Sequence, residues 1–164
     1  MELLDPPAGF RSWHGGPTLM GALRGVDHKQ AAWKPYPDRH SIWELALHIA
    51  YWNYTVTRCF IQEDSAVFGR SPANFPKVDE NSEAAWREDK LFISQHHDHL
   101  ILALRGFPPS RLNEKTQSKK KWSYGQLMAG IMVHNAYHVA QIQLMKRLYR
   151  SMLADRPPEP PTKK

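Results

Sequence analysis

The stretch from Trp122 to Arg150, WSYGQLMAGIMVHNAYHVAQIQLMKRLYR, constrains this chain most, because it is the longest clean helical pattern in the sequence. Inward-compatible residues recur at Leu127, Ile131, His134, His138, Gln141, Met145 and Leu148. Their spacing alternates between four and three, the seam of a helix packed in a bundle. Three consecutive seam positions are polar. Burying two imidazoles and an amide costs free energy unless each finds a partner. His134 and His138 leave the same face one turn apart, so they can share one metal ion. A third ligand would have to come from another helix.

Ahead of this stretch the chain reads as further helices. Residues 1–12 are unpatterned and read as an N-terminal arm. Gly15 and Gly16 break the chain, Pro17 suits a first helical position, and a short helix is expected over about 17–25. A further turn fits 27–32. Ser41 and Glu44 form a capping box, and a second helix is expected over about 42–62. Its seam is Leu45, His48, Trp52, Val56 and Cys59. His48 there is an imidazole at a core position, the third one sought. Residues 64–80, with Gly69, Pro72 and Pro76, form a long connection.

A third helix is expected from Asn81 or Ser82 to about 104. Trp86, Ile93, His97, Leu100 and Leu104 form its stripe, with Phe92, His96 and Ala103 flanking. Gly106, Pro108 and Pro109 stop it. Ser123 and Gln126 make a second capping box that opens the last helix, and Trp122 is placed to staple onto Leu127. That helix is expected to end between Tyr149 and Leu153. Residues 154–164 are rich in proline and read as a flexible tail. The pattern predicts one all-α domain over 13–153, a four-helix bundle.

Composition narrows the setting. The 164 residues suit one domain with a real core. No apolar run approaches the roughly 20 residues of a membrane span. The start, MELLDPPAGF, lacks the basic and apolar segments of a signal peptide. The single Cys59 excludes an intramolecular disulfide and fits a reducing compartment, so the cytoplasm is expected. The net charge of +6 is diffuse apart from Lys119, Lys120 and Lys121, and nucleic acid is not an expected partner.

His48, His134 and His138 thus form a candidate metal site between two long helices. One histidine on an apolar stripe is more often a hydrogen-bonded core residue. A pair one turn apart with a third imidazole on a second helix is a stronger signal. Neutral imidazole suits zinc, nickel, iron or copper. Without a seam carboxylate or thiolate the protein would leave a coordination position for water or substrate, unlike a closed structural zinc site. Gln141, three residues after His138, reads equally as a support for a ligand or as the polar edge of the patch. Glu44 reads first as the capping box and second as a group reaching inward. Tyr137 and Asn135 fit substrate contact or helix packing, and Trp52 lies on the same seam as His48. His14 and His40 stand at helix approaches, where they line a pocket mouth or are merely exposed. His96, His97 and His99 cannot all face one ion. Cys59 has no evident activator as a nucleophile.

HSIWELALHIAYW at 40–52 and HNAYHVAQIQLMKR at 134–147 together resemble the DinB/YfiT-like superfamily. The resemblance covers roughly 13–150, including WHGGP and the Trp86 region. Ala140 stands where that family has a small glycine. The resemblance implies a four-helix bundle in an up-and-down variant topology. It implies one divalent metal, nickel or zinc, on His48, His134 and His138, and frequent dimers. Relatives include transferases and isomerases that use low-molecular-weight thiols such as bacillithiol or mycothiol. The function expected is metal-dependent transfer of such a thiol to a small electrophile. Metal-assisted hydrolysis and a non-enzymatic metal-binding stress-response role are the alternatives.

Overall fold

The computed structural model describes residues 15–63, 67–117 and 121–155. The expected arm, His14, Lys119, Lys120 and all but the first two residues of the tail lie outside them. Five α-helices are formed: α1 (Leu19–Leu23), α2 (His28–Ala32), α3 (Ile42–Ile61), α4 (Glu83–Gly106) and α5 (Tyr124–Ala154), with a 3-10 turn at Pro109–Arg111. The described residues contain no strand, and one isolated antiparallel bridge joins Lys115 to Ser123. No helix among them is long and apolar enough to cross a membrane.

The architecture is the expected all-α bundle, with its first member broken in two. The helix expected over 17–25 stops at Leu23, because Arg24 is extended and Gly25 takes a φ of 71°, a left-handed turn that favours glycine. Asp27 then caps α2 by accepting from Gln30 N at 2.8 Å. α1 packs on α5, and α2 packs on α3 and α4.

α3 is the central element. Its Ser41–Glu44 capping box is complete, with Glu44 N donating to Ser41 Oγ at 3.2 Å and Ser41 N donating to Glu44 Oε2 at 2.8 Å. Every residue from Ile42 to Ala50 except Glu44 is buried. Contact with α2, α4 and α5 explains why this half is apolar nearly all round rather than striped. α4 buries the expected stripe of Trp86, Ile93, His97, Leu100 and Leu104. The second capping box, Ser123 with Gln126, opens α5.

The seam of α5 departs from its expected course. Ile131, His138 and Met145 are buried, but Leu148 is 41% exposed, and Asn135, Val139, Ile142 and Lys146 are buried instead. A strict alternation of three and four drifts by about 20° per heptad against a straight α-helix. Over this length the drift carries the far end of the seam away from the core. On α3, Trp52 is 37% exposed and Cys59 only half-buried, so that seam too opens toward its outer side.

Lys146, 7% exposed, closes the bundle on its first segment. Its Nζ donates to the carbonyls of Ala22 at 2.7 Å and Arg24 at 3.0 Å, satisfying the end of α1. Trp86 Nε1 donates to Val26 O, two residues beyond Arg24, at 2.8 Å. Replacing the ammonium with an apolar group of similar length leaves buried carbonyls without a donor. Lys146→Met should therefore cost about 1.5–3 kcal/mol in urea unfolding. Arg147→Ala, one residue away and exposed, should stay within about 0.5 kcal/mol. Equal effects would refute the capping role.

Candidate metal centre

His48 projects from α3 toward α5, and His134 and His138 project back from successive turns of α5. Each residue of the trio offers a nitrogen, and these donor atoms all lie within 4.8 Å of one another. His48 Nε2 and His134 Nε2 are 3.2 Å apart. The ring centroids are separated by 5.2 Å for His48–His134, 4.8 Å for His48–His138 and 4.5 Å for His134–His138. The three imidazoles that the sequence singled out are thus one cluster. His48 and His138 are buried, and His134 is half-buried.

The opposite edge of each ring faces an oxygen. His48 Nδ1 lies 2.6 Å from the Asn74 carbonyl, His138 Nδ1 lies 2.7 Å from Gln141 Oε1, and His134 Nδ1 lies 3.4 Å from Asn135 Oδ1. A backbone carbonyl only accepts, so the His48 proton sits on Nδ1 and its Nε2 presents a lone pair. The Gln141 oxygen, at 2.7 Å, favours the same tautomer on His138, whereas the Asn135 oxygen, at 3.4 Å, is too distant to set that of His134. Gln141 therefore supports His138 directly. Asn135 also donates through Nδ2 to Asn53 Oδ1 at 2.8 Å, a fully buried amide on α3.

Electrostatics keep the rings neutral. Burial pushes the pKa of His48 down to about 4, against the hydrogen bond to Asn74. Burial also lowers His134 and His138, against their bonds to Asn135 and Gln141. Neutral imidazole is the form that ligates a metal.

The connection before α4 reaches the centre. Arg70 donates from Nε to Asp89 Oδ1 at 2.9 Å and from Nη2 to Glu88 Oε1 at 3.0 Å, and Trp43 Nε1 donates to Asp89 Oδ2 at 2.7 Å. Pro76 is fully buried. Between these anchors Asn74 meets His48, and the Phe75 ring lies between two imidazoles. It stacks on His48 at 3.9 Å and on His40 at 3.9 Å. The other two rings have aromatic neighbours as well, with Trp52 at 5.8 Å from His134 and Tyr137 at 5.0 Å from His138.

The remaining candidates stand elsewhere. Glu44 is taken up by its capping box and by Lys34, whose Nζ donates to Oε1 at 2.8 Å. Burial raises its pKa, but Lys34 and Ser41 outweigh that and hold it below the usual carboxylate range. His96 packs against Phe92, Phe68 and Tyr54 on α4, His97 is in the core, and His99 is exposed. Asn74, Phe75 and Asn53 were not singled out from the sequence. The first two lie in a stretch without periodicity, and Asn53 is off the seam that carries His48.

Residues 17–142 match the family model of the DinB superfamily. No curated protein and no solved structure matches the chain.

The neutral imidazoles have a consequence for acid stability. An unfolded histidine titrates near 6.5, whereas folded His48 and His96 titrate near 4. Between these values the unfolded chain binds more protons, so stability is full above about pH 6.5 and falls as pH drops toward 4. Urea unfolding of chelator-treated protein across that range should show this decline, and His48→Gln should flatten part of it. An unchanged slope in the variant would contradict the assignment.

Proposed function

The chain belongs to the DinB superfamily, and from that premise we propose that His48, His134 and His138 hold one divalent metal ion, nickel or zinc, in an enzyme that transfers a low-molecular-weight thiol to a small electrophile. One observation carries the reading: three imidazoles from two helices bring a ligating nitrogen each to within 4.8 Å of one another inside the bundle, and His48 and His138 turn Nδ1 to an oxygen. The Nε2 atoms of His48 and His134, 3.2 Å apart, need a proton or a cation between them. The 3.2 Å between His48 Nε2 and His134 Nε2 is close to the separation of about 3.3 Å for two nitrogens each about 2.05 Å from a tetrahedral zinc. The donor set also fits the charge, since three neutral ligands leave a +2 ion uncompensated.

Bound there, such an ion would lower the pKa of a thiol beside it. The chain's own residues supply the rest. Asn74 and Gln141 fix the orientations of His48 and His138, and Asn135 stands beside His134. Phe75, Trp52 and Tyr137 place apolar surface around the histidines and limit the access of water. In the transfer the thiol would lose its proton to solvent, its sulfur would bond to the electrophilic carbon, and the bond from that carbon to its leaving group would break, the leaving group departing with the electron pair. Glu44, one turn before His48, is held by Lys34 and Ser41, which favours thiol transfer over a hydrolysis that needs a general base for water.

Purified protein should retain about one divalent ion per chain, and His48→Ala, His134→Ala and His138→Ala should each lose it. Metal analysis finding wild type as empty as the variants would sink the proposal. Gln141→Leu should weaken metal affinity by about 10–100-fold in chelator competition while the protein stays folded, because His138 loses the partner of its Nδ1 proton. Product analysis with and without added thiol distinguishes transfer from metal-assisted hydrolysis, and turnover that ignores thiol would reject transfer.

A further inference from the structure

A cavity of about 530 Å³ opens beside His134, between α3 and the first turns of α5. Trp52 and Val56 wall it from α3, and Trp122, Leu127 and Ile131 wall it from the other side. His134 forms its edge toward the metal centre. Among the described residues, no acid, lysine or arginine lines it. Gln126, its one amide, is turned back to accept from Ser123 N at 2.8 Å in the capping box. The two indoles at the opening are 37% exposed at Trp52 and 46% exposed at Trp122, a large apolar surface left open to water.

The size falls within the roughly 300–1,000 Å³ of small-molecule sites. A charged group placed here would lose hydration with no opposite charge to meet it. An apolar ring would gain burial, and the indoles offer it aromatic faces. Among the described residues, the chemically active group at the boundary is His134. The geometry points to a substrate subsite: the cavity takes the uncharged aromatic or similarly flat apolar body of the small electrophile, whose reacting end meets the three histidines. This deepens the reading of those histidines as a metal centre and rests on it.

Gly130 supplies the test. It lines the cavity, and a Cβ built there meets nothing within 4 Å, so a leucine enters open space. Gly130 is inside α5, where leucine is also the better helix former, so Gly130→Leu is expected to fold. Toluene titrated into metal-free protein should give saturable shifts of the Trp52 and Trp122 indole N–H signals. In Gly130→Leu the affinity should fall at least tenfold. With zinc-loaded protein, 4-phenylimidazole should bind at least tenfold tighter than imidazole, and Gly130→Leu should erase that advantage without releasing zinc. Absent toluene shifts, shifts indifferent to Gly130→Leu, or equal affinity for the two imidazoles in wild type would each overturn the subsite. A dimer in sedimentation that Gly130→Leu disrupts, with toluene binding untouched, would assign the cavity to a second copy of the chain and overturn it too. The toluene arm contains no metal, so its result is independent of the metal analysis.

Discussion

Three imidazoles can share the interior of a helical bundle only if each has somewhere to put its proton. That constraint organises the centre of this molecule. His48, His134 and His138 place their Nδ1 edges against Asn74, Asn135 and Gln141. Two of those partners are on α5 itself, at neighbouring positions that a helix can supply locally. The third is a backbone carbonyl from a distant connection. A side chain could be lost by one substitution, whereas a carbonyl is lost only if the backbone moves. The position of the 67–80 segment is thus tied to the chemistry of His48, and its anchoring by Arg70, Asp89 and Pro76 becomes part of the centre.

The same economy of placement runs through the fold. Asp89 is buried, a costly state for a carboxylate unless it is paired. It meets both Arg70 and the indole of Trp43, so one acid fixes the connection to α4 and orients a fully buried ring of α3. Asn135 donates to Asn53 across α3 and α5 in the neighbourhood of His134. Polar pairs of this kind add little net stability, but they disfavour any other register between the two helices, because sliding would leave buried amides without partners.

Much of this was legible in the sequence, for local reasons. The capping boxes at Ser41 and Ser123 are fixed by residues three apart, and both helices start where those residues place them. The stripe on α4 is a single-faced pattern, and periodicity reads it directly. The three histidines were legible because polar residues on an apolar seam are conspicuous, although only folding could bring α3 and α5 together. What escaped was long-range or aperiodic. Asn74 and Phe75 lie in a connection without a repeat. Lys146 was not singled out, because nothing local announces the carbonyls it covers. Leu148 was read as core by a regular spacing that a straight helix does not keep. The two short pieces at the start were read from the sequence, but the exact end of the first turns on the backbone of Gly25, a weak signal until its φ is known.

The lysine that closes α1 has a bearing on how the chain is made. Its bond to the Ala22 carbonyl spans 124 residues of sequence. During synthesis from the N-terminus, α1 is among the first segments to emerge, yet the donor for its last carbonyls arrives only with the final helix. Until then those carbonyls must remain with water, and α1 can only be a transient turn, since a five-residue helix has little stability of its own. α3 and α4, joined by extensive contact and close in sequence, can pair much earlier. The order of assembly then runs against the order of the helices: α1 precedes α3 and α4 along the chain but is locked in place after them.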